Sequence, residues 1–448
     1  MLGSLQVQDR AAKPCRALAL AAFIAMLPSS APSADMPRID ELVTSKGIKA
    51  WFVEEHSVPI VAIKFAFIGG AAQDPDGKEG LADLLCALLA EGAGDLNAAA
   101  FKRELSGLGA QLSLSSGRDT IIGGFGILSK RLQPSVELFR KALIAPRFDP
   151  ATIDRVRGQH INDVAHTAIE PRSVAMDRWY IDAFPGASYG RPVKGTQQSL
   201  LQITRGDIEA QHARLMARDT LKIVIVGDVE KALAAKIIDD MFGDLPGKAQ
   251  LRPVARLVPQ SVAVPVVIAK DQPLATAVFG MASLGEDHTD FAALEVLSHV
   301  IGSGDLDSTL MEEIRIKRGL TYSVHARLVN DSVTSLMLGG FATKNENMAD
   351  ALRILRDVLS NTADDGPAPA QFENAKRFLT GSFFLDFDSS SAIASSLLRI
   401  MLAGHRADYL AYRNNAIEQV TLEGVKRVAR QVLHPDRLIV TIVGRPSL

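Results

Sequence analysis

A chain of 448 residues, 47% hydrophobic and 22% charged with a formal net charge of -2, has an ordinary globular composition and is long enough for two domains. With 49 basic against 51 acidic residues, it offers no basic excess for nucleic acid and no acidic block for disorder. Its two cysteines, Cys15 and Cys86, exclude a disulfide framework.

Arg10, Lys13 and Arg16 precede an apolar run over residues 17–27 and a small-residue zone ending at Ala34. That order is a secretory signal peptide over residues 1–34, with cleavage between 31 and 34. The apolar run is about half the roughly 20 residues a membrane helix needs. Cleavage removes Cys15 and leaves Cys86 as the one thiol of an exported chain, periplasmic in a Gram-negative host and free of the membrane.

Residues 51–55 and 61–67 read as strands joined by a turn at Ser57-Val58-Pro59, the second of them central to a sheet. Gly69-Gly70 and a polar loop lead into a helix over 80–91, apolar on almost every face and closed by Gly92. An amphipathic helix over 98–108 ends at Gly109. Residues 111–115 and 120–128 form a hairpin around Gly117-Arg118-Asp119. Helices follow over 135–143, 151–165, 173–184 and 204–216, and a buried strand over 221–227 closes the half. His160 and His166 flank Asp163, but their spacing puts them on different helix faces, so both are expected as solvated surface histidines.

Residues 203–229 and 420–446 then align without a gap. Thr204 falls on Thr421, Asp219 on Asp436, and Ile225-Val226-Gly227 on Ile442-Val443-Gly444. A second common offset sets Gly92 on Gly302 and Gly109 on Gly319. The chain is therefore a duplication with domains at 35–243 and 261–448, joined by a proline-bearing linker at 244–260 where a hinge would sit. Hairpin strands mixed with helices give each half an α+β fold with an antiparallel-rich sheet. In the second half a Gly/Ser loop opens a helix over 308–317, Gly319 ends it, and a strand begins near Thr321. A helix end and the next strand's start can set Arg315 and Tyr322 on one side of a cleft.

The strand, Gly-Gly, loop and helix order of residues 61–92 resembles the start of the pitrilysin-type zinc peptidases, whose inverted motif His-x-x-Glu-His binds zinc from one helix face. Laid on this chain, the first His falls at Asp83, the Glu at Cys86 and the second His at Ala87. The family's third ligand, a Glu in a later helix, falls at or near Asp163. Two aspartates are too few for a catalytic zinc, so no cofactor is expected in this chain. By contrast, Ile314-Arg315-Ile316-Lys317-Arg318-Gly319-Leu320-Thr321-Tyr322-Ser323 is similar to the family's Leu-Arg-x-x-x-Gly-Leu-x-Tyr-Ser. There the Arg and Tyr hold the substrate backbone beside the scissile bond and help stabilise the tetrahedral intermediate.

The resemblance runs from about residue 51 to 446 and implies two such halves per chain. It further implies the subunit type that lacks the zinc motif, a heterodimer with a zinc-bearing homologue closed around an unfolded peptide. The partner would supply the zinc, its ligands and the Glu base. A rival reading is a non-catalytic peptide-binding or scaffold protein derived from a peptidase. A lone peptidase with Cys86 as nucleophile needs an activating His, and the next one along the chain is His160.

Overall fold

Two sheets organise the chain in this computed structural model, which describes residues 36–448 apart from Ala263. The signal-peptide reading of residues 1–34 lies outside the described residues. The first sheet orders its strands Gln111–Ser116, Thr120–Leu128, Ile60–Ile68, Leu221–Gly227, Lys49–Glu54 and Asp40–Val43. The second runs Val324–Asn330, Ser335–Lys344, Leu274–Ala282, Ile439–Gly444 and Val266–Ala269. From the hairpin edge inward the order is the same: hairpin pair, central strand, closing strand, then a neighbour parallel to the closing strand. Every other pair is antiparallel, as expected, and the first sheet carries one strand more.

The duplication holds at the level of caps. Helices Arg205–Leu215 and Leu422–Val432 each open on a threonine, Thr204 and Thr421, whose hydroxyl accepts a backbone N–H of the first turn. Both closing strands end on a glycine at positive φ, Gly227 at 138° and Gly444 at 149°. Gly109 and Gly319 end their helices at φ 62° and 61°. At the matched positions Gly92 and Gly302 the local conformation differs: Gly92 starts a two-residue strand at φ 121°, whereas Gly302 lies inside the π-helical turn His299–Ser303. A helix over Lys231–Phe242 also follows the strand expected to close the first half.

Alternation along Ile60–Ile68 sends Val61, Ile63, Phe65 and Phe67 into the first half's own core. Phe65 fits because Gly123 lies opposite it, where a Cβ would sit 2.0 Å from the ring. Phe279 and Gly339 repeat that pairing in the second sheet.

The other face of each sheet ties the halves together. Trp51, Val53, Ala62, Ala66, Val224 and Val226 of the first sheet are covered by helix Ser390–Leu402 of the second half, through Ala394, Leu397 and Leu398. In return, helix Pro171–Ala183 of the first half lays Ala175, Trp179 and Ala183 on Val278, Leu338, Ile439 and Val443 of the second sheet. Trp179 Nε1 donates to Ile439 O at 3.1 Å, and Gly280 leaves the room its indole needs. Each fully buried large apolar side chain contributes about 1.5–3 kcal/mol, so a half deprived of the other's helix loses several such terms.

The segment read as a linker is hydrogen-bonded to both halves. Gln73 and Arg252 exchange two hydrogen bonds (2.8 and 3.0 Å), Gln260 N donates to Ala183 O, and Leu257 N donates to Val333 O, both at 2.8 Å. The two sheet hairpins also meet at their tips. Asp119 accepts from Ser332 N at 2.6 Å and from the Tyr189 hydroxyl, while Arg118 lies 3.4 Å from the Tyr180 ring centroid. Asp331 is packed beside them, and burial, then the Asp119 charge, pushes its carboxyl up to about 6.

Candidate functional site

Helix Leu81–Leu88 is fixed at its entrance by Asp74, which accepts from Gly80 N and Ala82 N (each 3.0 Å) and from Gln211 Nε2 at 3.1 Å. Burial pushes the Asp74 carboxyl up to about 7 against those bonds. Leu81, Ala82, Leu84, Leu85, Cys86 and Leu88 are buried, as an almost wholly apolar helix should be. Asp83 and Ala87, one turn apart on the same face, are only partly covered.

That face meets helix Pro150–Thr167. His160 Nε2 lies 3.4 Å from Asp83 Oδ2, and its Nδ1 lies 3.2 Å from Val156 O. A ring placed between a carboxylate and a carbonyl is best satisfied with both nitrogens protonated. The hydrogen bond to Asp83, more than any other contact, holds the His160 pKa above its ordinary value. His160 is therefore not the solvated histidine expected, its side chain being 15% exposed, while His166 is exposed. Asp163 is exposed and touches His160 only through its charge, so the later helix presents His160 to Asp83 in its place. The two residues are three apart on one helix, and only tertiary docking selects between them.

Cys86 is 2% exposed. Burial, then the charges of Asp83 and Asp74, pushes its thiol far up, so it stays protonated and is no nucleophile. A carboxylate already paired with a histidine, a buried neutral thiol and a methyl group do not fit a catalytic zinc. Among the described residues, no group of three or more His, Cys, Asp or Glu is placed to hold a metal ion.

The second half builds the other site on a π-helical turn, Met311–Ile316, which carries Arg315. Such turns widen a helix locally and recur at functional positions. Gly319 stops it, with its N–H on Arg315 O at 2.8 Å. The strand then begins at Val324, so Tyr322 stands on the turn before it rather than just inside it. Thr321 pins that turn by donating to Ala342 O at 2.7 Å and accepting from Ser323 N at 3.3 Å.

The outcome is that the Arg315 guanidinium carbon lies 5.0 Å from the Tyr322 ring centroid, and Tyr322 is 83% exposed. Glu313, the nearby carboxylate, is taken by Lys317 (2.7 Å) and Arg318 (2.6 Å). Among the described residues neither the Arg315 guanidinium nor the Tyr322 hydroxyl has an ion-pair or hydrogen-bond partner. Five N–H donors and one O–H donor are therefore left without a protein partner. Arg315 and Tyr322 are thus adjacent, as the sequence led one to expect, and the pair is chemically unspent.

Two family models match the chain: Insulinase (Peptidase family M16) over residues 51–197, and Peptidase M16 inactive domain over residues 202–379. A Helicobacter pylori protein named non-peptidase homolog YmxG is 23% identical over 376 residues, 84% of this chain and 86% of its own length. The mitochondrial-processing peptidase subunit beta of Lentinula edodes is 23% identical over 382 residues, 81% of each chain. Among solved structures, a peptidase M16 inactive domain from Pseudomonas fluorescens shares the fold, with a TM-score of 0.86 at 24% identity over 92% of this chain and 98% of that one.

Proposed function

This chain belongs to peptidase family M16, and from that premise we propose that it is the zinc-free subunit of a two-chain zinc peptidase. The single observation that carries the reading is the unpartnered Arg315–Tyr322 pair, a half-buried arginine beside an exposed tyrosine. In this reading a homologous partner supplies the zinc, its ligands and the general base, and the two chains close on an unfolded peptide. Arg315 and Tyr322 donate to the scissile carbonyl oxygen and to the negative charge that grows there as the carbon becomes tetrahedral. Donors aimed at developing charge hold the transition state more tightly than the substrate, which is what accelerates a reaction. The loss of fitting donors at Asp83, Cys86 and Ala87 supports a divided enzyme, as does the likeness to a protein named as one subunit of a processing peptidase. The signal-like segment at residues 1–34 directs this chain to the periplasm of a Gram-negative host.

The name of the Helicobacter pylori relative favours a second reading, a peptide-binding or scaffold protein without catalysis. An assay on an unstructured peptide separates the two. The chain is expected to be inactive alone and to support zinc-dependent cleavage when mixed with a zinc-motif homologue from the same genome. Chelator-resistant cleavage by the chain alone would sink the proposal. Tight binding of extended peptides with no cleavage in any mixture would establish the second reading.

A further inference from the structure

A cleft of about 730 Å³ opens on the first sheet just past the end of helix Ser390–Leu402. It contains neither Arg315 nor Tyr322. Its floor is the start of two parallel strands. The register Trp51↔Val224 sets Lys49 beside Lys222, two residues earlier on each strand, on the face where Trp51 and Val224 pack under the helix. Neighbouring strands run about 4.8 Å apart, and like charges directly opposite each other destabilise a sheet. Among the described residues neither lysine has an acidic partner within ion-pair distance.

Arg218 joins them from the turn before the Leu221 strand, and its Nε is buried with no hydrogen-bond partner. The cleft gathers five basic residues against two acidic ones, Glu41 and Asp219, in a chain of net charge -2. Asp219 accepts Ala249 N at 2.9 Å and keeps its negative charge. Of the remaining basic residues, Lys46 is paired with Asp244 at 2.9 Å and Arg406 with Asp408 at 3.5 Å. The cations without an ion-pair partner are thus Lys49, Lys222 and Arg218, against the two carboxylates Glu41 and Asp219, so the cleft keeps a positive excess.

We propose that this cleft binds a small polyvalent oxyanion of the phosphate or polyphosphate class, held by Lys49, Lys222 and Arg218. Several oxygens on one small ligand can meet two ammonium groups and a guanidinium together. The volume is that of a small-molecule site and not of a protein interface.

The test is titration calorimetry and thermal melting of the full chain with pyrophosphate, with inorganic phosphate and chloride at matched ionic strength as comparators. Pyrophosphate should bind saturably and raise the melting temperature, more than phosphate does and far more than chloride. Lys49→Gln and Lys222→Gln should each weaken pyrophosphate at least tenfold, while Lys102→Gln, on the surface elsewhere, leaves it unchanged. Without ligand, each of the first two variants should melt no lower than the parent chain, because the substitution relieves repulsion. A response that merely follows ionic strength, or saturable binding that both substitutions leave intact, would overturn the proposal.

Discussion

Residues 105–112 and 315–322 occupy equivalent places in the two halves, each wrapped around a glycine at nearly the same φ, 62° for Gly109 and 61° for Gly319. The first half fills that frame with Leu105, Leu108 and Leu112, all packed against its cores. The second fills it with Arg315 and Tyr322, which lie against one another, and with Arg318, which pairs with Glu313. The helix preceding each frame reverses the contrast. Asp83 and Ala87 are partly open in the first half, while their counterparts Ala293 and Leu297 are buried in the second, at 7% and 0% exposure. One backbone device thus serves packing in one copy and presents donors in the other. Because the frame is held by its glycine and its backbone bonds, the donors can be changed with little cost to folding.

The contrast assumes two halves that differ in content while sharing one fold, and the sharpest way to break it is to attack the shared helices. Trp179→Ala removes a first-half side chain from the second half's sheet and should cost about 3–5 kcal/mol. Urea unfolding followed by probes in each half should still show one transition; two separated transitions would mean that the halves stand alone. Next in size, Arg315→Ala or Tyr322→Phe should lower turnover of the reconstituted peptidase about 10²–10³-fold with no change in melting temperature. The matched substitution Leu105→Ala should do the reverse, costing roughly 2 kcal/mol of stability and leaving turnover per folded molecule intact. Equal behaviour of the two variants would erase the distinction between the frames.

Smaller effects come from titrating groups. Asp331 ionises near 3.8 when unfolded and at about 6 in the fold, so the folded chain holds that proton more tightly. Its ionisation costs stability progressively as the pH rises between those values, and in full above them. Asp331→Asn should therefore stabilise the chain at pH 8 by roughly 2 kcal/mol, a gain that fades as the pH falls toward 4 in a melting series. His160 has the opposite sign. Its raised pKa means that the Asp83 contact stabilises below the unfolded value of 6.5 and is lost as the pH rises through the folded one. His160→Gln should lower the melting temperature at pH 6 by an amount worth about 1 kcal/mol or less, and leave it unchanged at pH 9.

Much of this was legible in one sequence because it is local. The hairpin turn at Gly117-Arg118-Asp119, the glycine stops at 109 and 319, and the central place of strand Ile60–Ile68 follow from short-range rules, and all appear where expected. The Arg315–Tyr322 contact was legible too, because a single tight turn links the two residues. What the sequence hid depends on docking. The approach of His160 to Asp83 needs the packing of two helices far apart in the chain. The π-helical form of Met311–Ile316 leaves no composition signal, and the next strand starts past Tyr322, at Val324. The exchange of helices between halves was hidden because Ala175, Trp179 and Ala183 mark an apolar stripe without saying which sheet receives it.

That exchange also sets an order on biogenesis. The sheet face carrying Trp51, Val53, Val224 and Val226 is translated well before its cover, residues 390–402, leaves the ribosome. Until then an apolar surface stays bare, the condition in which nascent chains aggregate or recruit chaperones. A stop codon anywhere before residue 390 would remove more than the second half, since it would also leave the first half without its lid. Two fragments cut within 244–260 and expressed together should, for the same reason, find each other and reassemble.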